Sequence, residues 1–278
     1  MNKQLQKKVD RAIRLLQAAQ TTAGDKQIEV SYSGGKDSDV ILELARMAGI
    51  NYRAIYKNTT IDPPGTIAHA KENGVEVVQP RESFFKVIER KGLPSRFVRF
   101  CCSELKEYKI LDHAVQGIRR DENNSRAKRY QEPQICRMYP KGERASVYLP
   151  ILDWTKEDVA EFIRERGIKC HPLYYDEDGT FHPERRLGCM CCPMAYRPHR
   201  LEEFKQHPGM VKAYIRAAKK WWDARPNLKS RKYFRDIYEV FTYNVFFDRR
   251  IDFDEWQSGM FGCTDCKQFL EDYFNINL

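Results

Sequence analysis

The feature that most constrains this 278-residue chain is a glycine-containing segment between a predicted strand and a predicted helix. Residues 27–32 alternate apolar and polar side chains, as a half-buried strand does. Residues 40–47 are rich in apolar side chains and predict a helix. The segment between them reads Ser33-Gly34-Gly35-Lys36-Asp37-Ser38. A strand, a glycine turn and a helix N-terminus together direct backbone N–H groups at an anion, so the sequence predicts a phosphate-binding loop.

The residue types in this loop suit an anion. The two glycines permit backbone angles and a close approach that a Cβ atom would block. The lysine adds a positive charge, and the two serines add hydroxyl donors. The loop is not a Walker A motif, which requires glycine at position 30 and Ser or Thr at position 37, where this chain has Val30 and Asp37. A turn without a ligand is the alternative interpretation, and the flanking strand and helix argue against it.

Strands alternate with helices through the first two thirds of the chain, which predicts an α/β fold with an open, mostly parallel twisted sheet and helices on both faces. The polar residues 127–145 predict a mobile loop over the site. In such sheets ligands lie beyond the carboxyl ends of the strands. The other predicted strands are 52–56, 75–78, 113–118 and 147–151, and the other predicted helices are 4–20, 67–73, 82–91 and 155–166.

The composition changes at about residue 198, beyond which the chain is basic and aromatic with helical spacing. We therefore predict two domains, a nucleotide-binding domain at 1–197 and a helical C-terminal region at 198–278. Most aromatic residues of this region are expected in its core. The basic run 212–232 is either a solvated face or a surface that contacts backbone phosphates.

Composition limits the class of protein. There is no run of 18 apolar residues, and the N-terminus lacks the apolar core of a signal peptide, so we expect a cytoplasmic protein without a membrane span. Nine cysteines in a cytoplasmic enzyme favour metal, cluster or redox chemistry over structural disulfides. The formal net charge of +9 suits a polyanionic partner or substrate, although a merely basic enzyme would have the same charge.

Several ordered motifs resemble a known superfamily. The SGGKDS segment resembles the SGGxDS loop of the PP-loop ATP pyrophosphatases, which cleave ATP between the α- and β-phosphates. Residues 58–66 resemble a turn of the phosphoadenylyl-sulfate (PAPS) reductase and ATP sulfurylase branch, with Asn58 in place of Asp and Thr60 in place of Gly. Residues 117–126 resemble that family's G-x-R-x-x-E-S-x-R turn. Further matches at Pro150–Val159, His171–Tyr174 and Arg186–Pro193 extend the resemblance over about residues 27–195.

This resemblance implies an adenine nucleotide α-hydrolase-like fold that uses ATP with Mg²⁺. It implies that Lys36, Asp37 and Arg119 are catalytic. Arginines at a strand end also suit phosphate or sulfate binding, because a guanidinium group binds such anions with two hydrogen bonds. The residues expected to bind the nucleotide are Ser33, Gly34, Gly35, Lys36, Asp37, Ser38, Asn58, Gly117, Arg119 and Arg126.

The cysteines form a second pattern. An adjacent pair at positions 101 and 102, followed by a C-x-x-C pair, resembles the arrangement by which adenylyl-sulfate (APS) reductases bind a 4Fe–4S cluster. Cys191 leaves the choice of the second pair open. A zinc site built from two C-x-x-C pairs, Cys189/Cys192 and Cys263/Cys266, is the competing assignment, and no metal is a third. The predicted cluster ligands are Cys101, Cys102, Cys189 and Cys192.

Three functions fit these motifs. The first is a PAPS or APS reductase, but such enzymes generally have a degenerate phosphate loop and a C-terminal E-C-G-x-H motif, which this chain lacks. The second, which we favour, is an ATP pyrophosphatase that adenylates an acceptor for sulfur incorporation. It resembles the ATP pyrophosphatase component of DNA phosphorothioation systems, and a tRNA thiolation enzyme would use similar chemistry. The third is a nucleotide-binding regulator without catalysis.

The favoured function implies particular partners. The acceptor is expected to be nucleic acid, with DNA preferred, and the sulfur donor a cysteine desulfurase or another supplier. A homodimer is compatible with the resemblance, and no membrane is expected.

Overall fold

The computed structural model describes residues 1–247 and 265–278. These residues form two compact units. Unit 1 contains residues 1–80 and 105–188, and unit 2 contains residues 81–104 and 189–278. The units differ from the predicted division after residue 197, because the helix of residues Phe84–Lys91 packs against the helix of residues Pro208–Asp223 and joins the C-terminal unit.

Unit 1 is built on a six-stranded sheet in the order β3-β2-β1-β4-β6-β5. Neighbouring strands are parallel except for β5, which pairs antiparallel with β6 at one edge. This confirms the predicted α/β fold with a mostly parallel, adenine nucleotide α-hydrolase-like sheet. The strands are β1 (Ile28–Tyr32), β2 (Tyr52–Lys57), β3 (Glu76–Val78), β4 (His113–Val115), β5 (Gln134–Met138) and β6 (Arg144–Tyr148).

The prediction of a mobile loop at residues 127–145 is wrong. The segment contains the end of a short helix and the whole of β5, which pairs with β6 from Gln134 opposite Tyr148 to Met138 opposite Arg144. An edge strand with exposed polar positions lacks the apolar alternation from which strands are predicted.

The helices of unit 1 connect the parallel strands. They are α1 (Lys3–Ala23), α2 (Lys36–Ala48), α3 (Thr66–Glu72), α6 (Asn124–Arg129) and α7 (Lys156–Arg166), while α4 (Phe84–Lys91) belongs to unit 2 and α5 (Phe100–Leu105) spans the boundary. The apolar face of α1 is buried, as its spacing predicted, and α1 packs on α2. Thr155 caps α7 in a reciprocal capping box with Asp158. Trp154, which was predicted to be structural, is 2% exposed in the core.

Unit 2 is helical, which confirms the predicted helical C-terminal region. Besides α4 it contains α8 (Arg197–Gln206), α9 (Pro208–Asp223), α10 (Ile237–Phe246) and α11 (Cys266–Phe274). Its core is aromatic: Tyr214 is fully buried, and its ring lies 5.3 Å from the rings of both Phe84 and Phe204. Within the described residues, no helix combines the length and apolar character needed to cross a bilayer.

The basic run 212–232 is partly used inside unit 2. Lys219 and Lys220 each form an ion pair at 2.9 Å within the unit. Arg225 donates to three backbone carbonyl groups, and Arg231 donates to two while its guanidinium group lies over the ring of Trp222. These four cations hold the α9 region together, so the run is not simply a free phosphate-binding face.

Candidate functional site

The predicted phosphate loop lies directly between β1 and α2, as the sequence indicates. Helix α2 begins at Lys36, and Gly35 is its N-cap residue without a capping side chain. Gly34 has a φ of +79°, in the region that glycine adopts at little cost. A Cβ atom on Gly34 would lie 2.7 Å from Cγ2 of Thr66, the first residue of α3. The tight packing explains why the loop needs a glycine at that position.

Lys36 is held inside the loop. Its residue is 4% exposed, and its Nζ donates to the carbonyl oxygen of Arg185 at 3.2 Å. The same Nζ lies 3.8 Å from the carboxylate of Asp37. Burial lowers the pKa of Lys36 below its usual value, and the neighbouring cations Arg119 and Arg186 lower it further, against the opposing effect of Asp37. An anionic ligand would stabilise the charged form of this ammonium group.

Asp37 and Arg119 form the ion pair that fixes the start of α2. Nε of Arg119 donates to Oδ1 of Asp37 at 2.6 Å, and Nη1 donates to Asp121 at 3.1 Å. The Arg119 side chain is 5% exposed, so both carboxylates neutralise a charge that is removed from water. Gly117 packs against the same residue, because a Cβ atom there would lie 2.9 Å from the backbone oxygen of Asp37. Arg119 therefore positions Asp37 from beneath the loop.

Tyr174 joins the phosphate loop to a distant segment. Its hydroxyl oxygen accepts the backbone N–H of Lys36 at 3.3 Å and the backbone N–H of Leu187 at 3.2 Å. Burial raises the pKa of Tyr174, so its hydroxyl stays protonated. Together with the bond from Lys36 Nζ to Arg185, these contacts attach residues 185–187 to the loop.

A cavity of about 150 Å³ opens at this loop. It brings together most of the predicted phosphate-binding residues and five residues that the sequence analysis did not select. Gly34 and Arg119 do not line it and support it from behind. The predicted lining residues are Ser33, Gly35, Lys36, Asp37, Ser38, Gly117 and Arg126, and the additional ones are Ser31, Glu122, Tyr174, Arg186 and Leu187.

Motif positions could have indicated some of the additional residues. Glu122 lies inside the G-x-R-x-x-E turn, and Arg186 and Leu187 precede the cysteine motif. Their side chains reach the loop only through the fold, since Arg186 and Glu122 are 64 positions apart and interact at 3.1 Å.

Asn58 is buried at the end of β2 and does not line this cavity. Its amide nitrogen donates to Gln79 at 2.8 Å, and its Oδ1 accepts the backbone N–H of Thr60 at 2.8 Å. Thr60 has a φ of +65°, where the related family has glycine. These contacts give Asn58 a role in shaping the turn, and its assignment to nucleotide binding stays a prediction.

The four predicted cluster cysteines all lie in unit 2, where the structure brings them together around Cys101. A hydrogen bond with Cys102, burial, and the nearby sulfur atoms of Cys192 and Cys189 together raise the pKa of Cys101 far above its usual value. In residues 1–247 and 265–278, no three His, Cys, Asp or Glu side chains already have the spacing of a formed metal site.

The neighbouring Cys191 is different from these four cysteines. It is fully buried with a φ of +53°, and burial raises its pKa to about 12. Its backbone N–H donates to Glu203 at 3.1 Å, and its carbonyl oxygen accepts hydrogen bonds from Arg200 at 3.2 Å and Tyr214 at 3.3 Å. These contacts fix the C-x-x-C turn from inside, which favours Cys189 and Cys192 as the second pair.

The zinc alternative depends on residues at the end of the chain. Cys263 lies outside the described residues, and Cys266 is disulfide-bonded. Of the cysteines expected to be ordinary thiols, Cys170 is buried and Cys136 is exposed on β5.

The chain belongs to the phosphoadenosine phosphosulfate reductase domain family, whose pattern matches residues 27–195. The match covers the phosphate loop, the cavity residues and both cysteine pairs. It confirms the predicted superfamily and extends over the same residues as the motifs.

Individual relatives are distant. An uncharacterized protein of Methanocaldococcus jannaschii is 28% identical over 208 residues, which are 70% of this chain and 48% of that protein. An uncharacterized 37.8 kDa protein of Escherichia phage 186 is 32% identical over 49% of this chain and 43% of its own length. Sulfate adenylyltransferase subunit 2 of Alkalilimnicola ehrlichii is 30% identical over 54% of this chain and 63% of its own length. The chain thus spans about half the length of the curated relatives it matches.

Among solved structures, a phosphoadenylyl-sulfate reductase from Candida auris aligns with a TM-score of 0.44 and 14% identity. The alignment covers 68% of this chain and 96% of that one.

Proposed function

We propose that this chain is an ATP pyrophosphatase that adenylates an acceptor, releasing pyrophosphate, so that sulfur can then replace an acceptor oxygen. The observation that carries the proposal is the intact phosphate loop, with buried Lys36 at the N-terminus of α2 and a polar cavity beside it. Family membership and the relation to a sulfate adenylyltransferase subunit support adenylyl transfer.

In the proposed reaction an acceptor oxygen attacks the α-phosphorus of ATP. The bond from that phosphorus to the bridging oxygen breaks, and pyrophosphate leaves with the bonding electron pair. Negative charge therefore grows on the bridging oxygen, where backbone N–H groups of the loop and the ammonium group of Lys36 stabilise it. Asp37, fixed by Arg119 at 2.6 Å, orients that ammonium group. A sulfur nucleophile then attacks the activated acceptor, and AMP leaves.

Magnesium fits the oxygen-rich cavity. Asp37 and Glu122 supply carboxylates among its lining residues, and Mg²⁺ binds through carboxylate and phosphate oxygens. When bound with ATP, the ion would neutralise phosphate charge. Both carboxylates are engaged by arginine here, through the Asp37–Arg119 and Glu122–Arg126 pairs.

Nucleic acid, with DNA preferred, is the proposed acceptor. The net charge of +9 supports a polyanion. In unit 2, the exposed rings of Phe97 and Tyr196 lie on neighbouring loops joined by a bond from Arg96 to the carbonyl oxygen of Ala195. Aromatic rings beside arginines suit stacking on bases and contact with phosphates. These loops, together with the remaining exposed lysines, support the acceptor assignment more directly than the paired residues of the basic run.

An iron–sulfur cluster is the proposed cofactor of unit 2. The donor set fits, because four free cysteines converge and Cys191 is turned into the core. Thiolates are the usual ligands of such clusters, which would supply electron transfer or a site for sulfur. The residues of this chain orient the ligands through the backbone contacts of Cys191 with Arg200, Tyr214 and Glu203.

A PAPS reductase is the second candidate function, and the family match supports it. Its substrate carries phosphate and sulfate groups that the cavity arginines would also bind. The two candidates differ in one measurable property, since only the pyrophosphatase needs a loop that stabilises a departing pyrophosphate.

The test uses the full chain, purified anaerobically. Competitive binding of ATP with Mg²⁺ against PAPS compares the two substrates, and release of pyrophosphate from ATP in the presence of duplex DNA and sulfide follows the reaction. We expect tighter binding of ATP and pyrophosphate release that depends on DNA. Lys36→Ala should reduce the rate about 100- to 1000-fold while ATP binding is largely retained.

The matched control is Lys26→Ala, which removes an exposed lysine of unit 1 that does not line the cavity. It should react like the unchanged protein. Preference for PAPS by a wide margin, or pyrophosphate release unaffected by Lys36→Ala, would contradict the pyrophosphatase proposal.

A further inference from the structure

One carboxylate, that of Glu122, holds two arginines at the edge of the phosphate cavity. Its Oε1 accepts from Nη1 of Arg126, and its Oε2 accepts from Nη2 of Arg186 at 3.1 Å. Oε1 also accepts the backbone N–H of Arg119 at 3.3 Å. Glu122, Arg126 and Arg186 all line the same cavity as Lys36. Two guanidinium groups thus face the phosphate loop and share one protein carboxylate.

The two arginines differ from Arg119 in how freely they can move. The Arg119 side chain is 5% exposed and is paired with Asp37 and Asp121. The Arg126 side chain is 35% exposed and that of Arg186 is 67% exposed. Ion pairs of exposed side chains are weak, because water screens them. Arg126 and Arg186 can therefore change partner at little cost, whereas Arg119 cannot.

The backbone that carries Arg186 is nevertheless fixed beside the loop. The residue before it accepts a hydrogen bond from Nζ of Lys36 at 3.2 Å, and the residue after it donates to Tyr174 at 3.2 Å. A side chain that is mobile on a fixed backbone can turn toward a ligand without moving the fold. The position of Arg186 is thus set by two contacts that also set the loop.

We propose that Glu122 is an internal counter-ion which occupies Arg126 and Arg186 until phosphate displaces it, and that Arg186 is a phosphate-binding residue of this site. The proposal rests on the proposed function only in that the ligand carries phosphate. Arginine binds phosphate through two charge-assisted hydrogen bonds, which are roughly twice as strong as neutral ones. A polyphosphate, with several oxygens, can engage both guanidinium groups at once, while Glu122 turns to solvent.

The test measures binding of inorganic pyrophosphate to the full chain by calorimetry in buffer with EDTA, so that carboxylate–metal contacts do not contribute. Arg186→Gln should weaken binding about tenfold, as expected for the loss of one direct charge-assisted contact. Glu122→Gln should strengthen binding several-fold, because it removes the competing carboxylate. Lys128→Gln is the matched control, since it removes an exposed cation of α6 that does not line the cavity.

The sign of the Glu122→Gln effect separates the proposal from a structural role. If Glu122 only positions the arginines, its replacement weakens pyrophosphate binding, and the counter-ion proposal is overturned. Binding by Arg186→Gln within twofold of the Lys128→Gln control overturns the assignment of Arg186. The Arg186 side chain is largely exposed, so this variant is expected to fold and decides the question even if Glu122→Gln does not.

Failure of this inference is distinguishable from failure of the proposed function. A chain that cleaves ATP, but whose Arg186 and Glu122 variants bind pyrophosphate unchanged, keeps the function and loses the inference. A chain whose variants shift pyrophosphate binding as described, but which never releases pyrophosphate from ATP, keeps the inference and loses the function.

Discussion

Replacing Gly34 with alanine tests the packing that shapes the phosphate loop. Gly34 has a φ of +79°, and a Cβ atom there would lie 2.7 Å from Cγ2 of Thr66 and 3.3 Å from Cδ2 of Leu187. Thr66 cannot swing away easily, because it is buried and its hydroxyl donates to the carbonyl oxygen of Pro63 at 2.7 Å. Gly142 offers a matched control, since its φ is +86° and nothing lies within 4 Å of its Cβ position.

The two substitutions share one cost and differ in another. Alanine at a positive φ costs about 1–2 kcal/mol in either position. The overlap at Gly34 adds about 1–3 kcal/mol, the usual cost of inserting a methyl group into packed surroundings. We therefore expect a loss of about 1–2 kcal/mol in the free energy of unfolding for Gly142→Ala. The expected loss for Gly34→Ala is about 2–5 kcal/mol.

Urea denaturation followed by circular dichroism measures the free energy of unfolding. Hydrogen exchange of peptides from β1 and β2 assigns the change to unit 1, because slowly exchanging core strands report its global opening. Pyrophosphate binding should also weaken more in Gly34→Ala than in the control, since the overlap displaces the loop. Equal losses of stability and equal pyrophosphate affinities in the two variants would refute the close packing of Gly34 on Thr66.

Two further predictions concern Lys36 and the cysteines. Because the pKa of Lys36 is lowered, its charge is lost at a lower pH than that of an ordinary lysine, so pyrophosphate affinity should fall on the alkaline side. In Lys36→Arg, which stays charged, calorimetry from pH 7 to 10 should show that fall reduced, and an identical profile would contradict the assignment. Anaerobic reconstitution with iron and sulfide should give cluster absorbance in Cys191→Ser and little in Cys192→Ser, and equal loss in both would contradict the ligand assignment.

The sequence was most informative where one local pattern determines one structure. The strand, glycine turn and helix around Lys36 were predicted because apolar periodicity and glycine act locally. The edge strand β5 was missed because Gln134, Cys136 and Met138 face solvent, so its outer positions carry no apolar signal. Its strand conformation comes from pairing with β6, which is a tertiary effect.

The same distinction holds in the candidate site. Asn58 was predicted to bind the nucleotide from its place in a motif, but its amide is used to shape the turn. Glu122 was not selected, because its importance depends on Arg186, 64 positions away. A motif therefore indicates which segments meet at a site, while side-chain pairing between segments decides which residue faces the ligand.

The hydrogen bonds of the cavity imply that phosphate binding is an exchange of partners. The backbone N–H of Lys36 is accepted by Tyr174, its ammonium group by the carbonyl oxygen of Arg185, and two arginines by Glu122. Each protein oxygen stands where a phosphate oxygen would bind, which avoids leaving buried donors without partners. Affinity then equals the difference between phosphate and these internal acceptors, and is smaller than the sum of the new contacts. Removing an internal acceptor should strengthen binding, whereas removing a donor should weaken it.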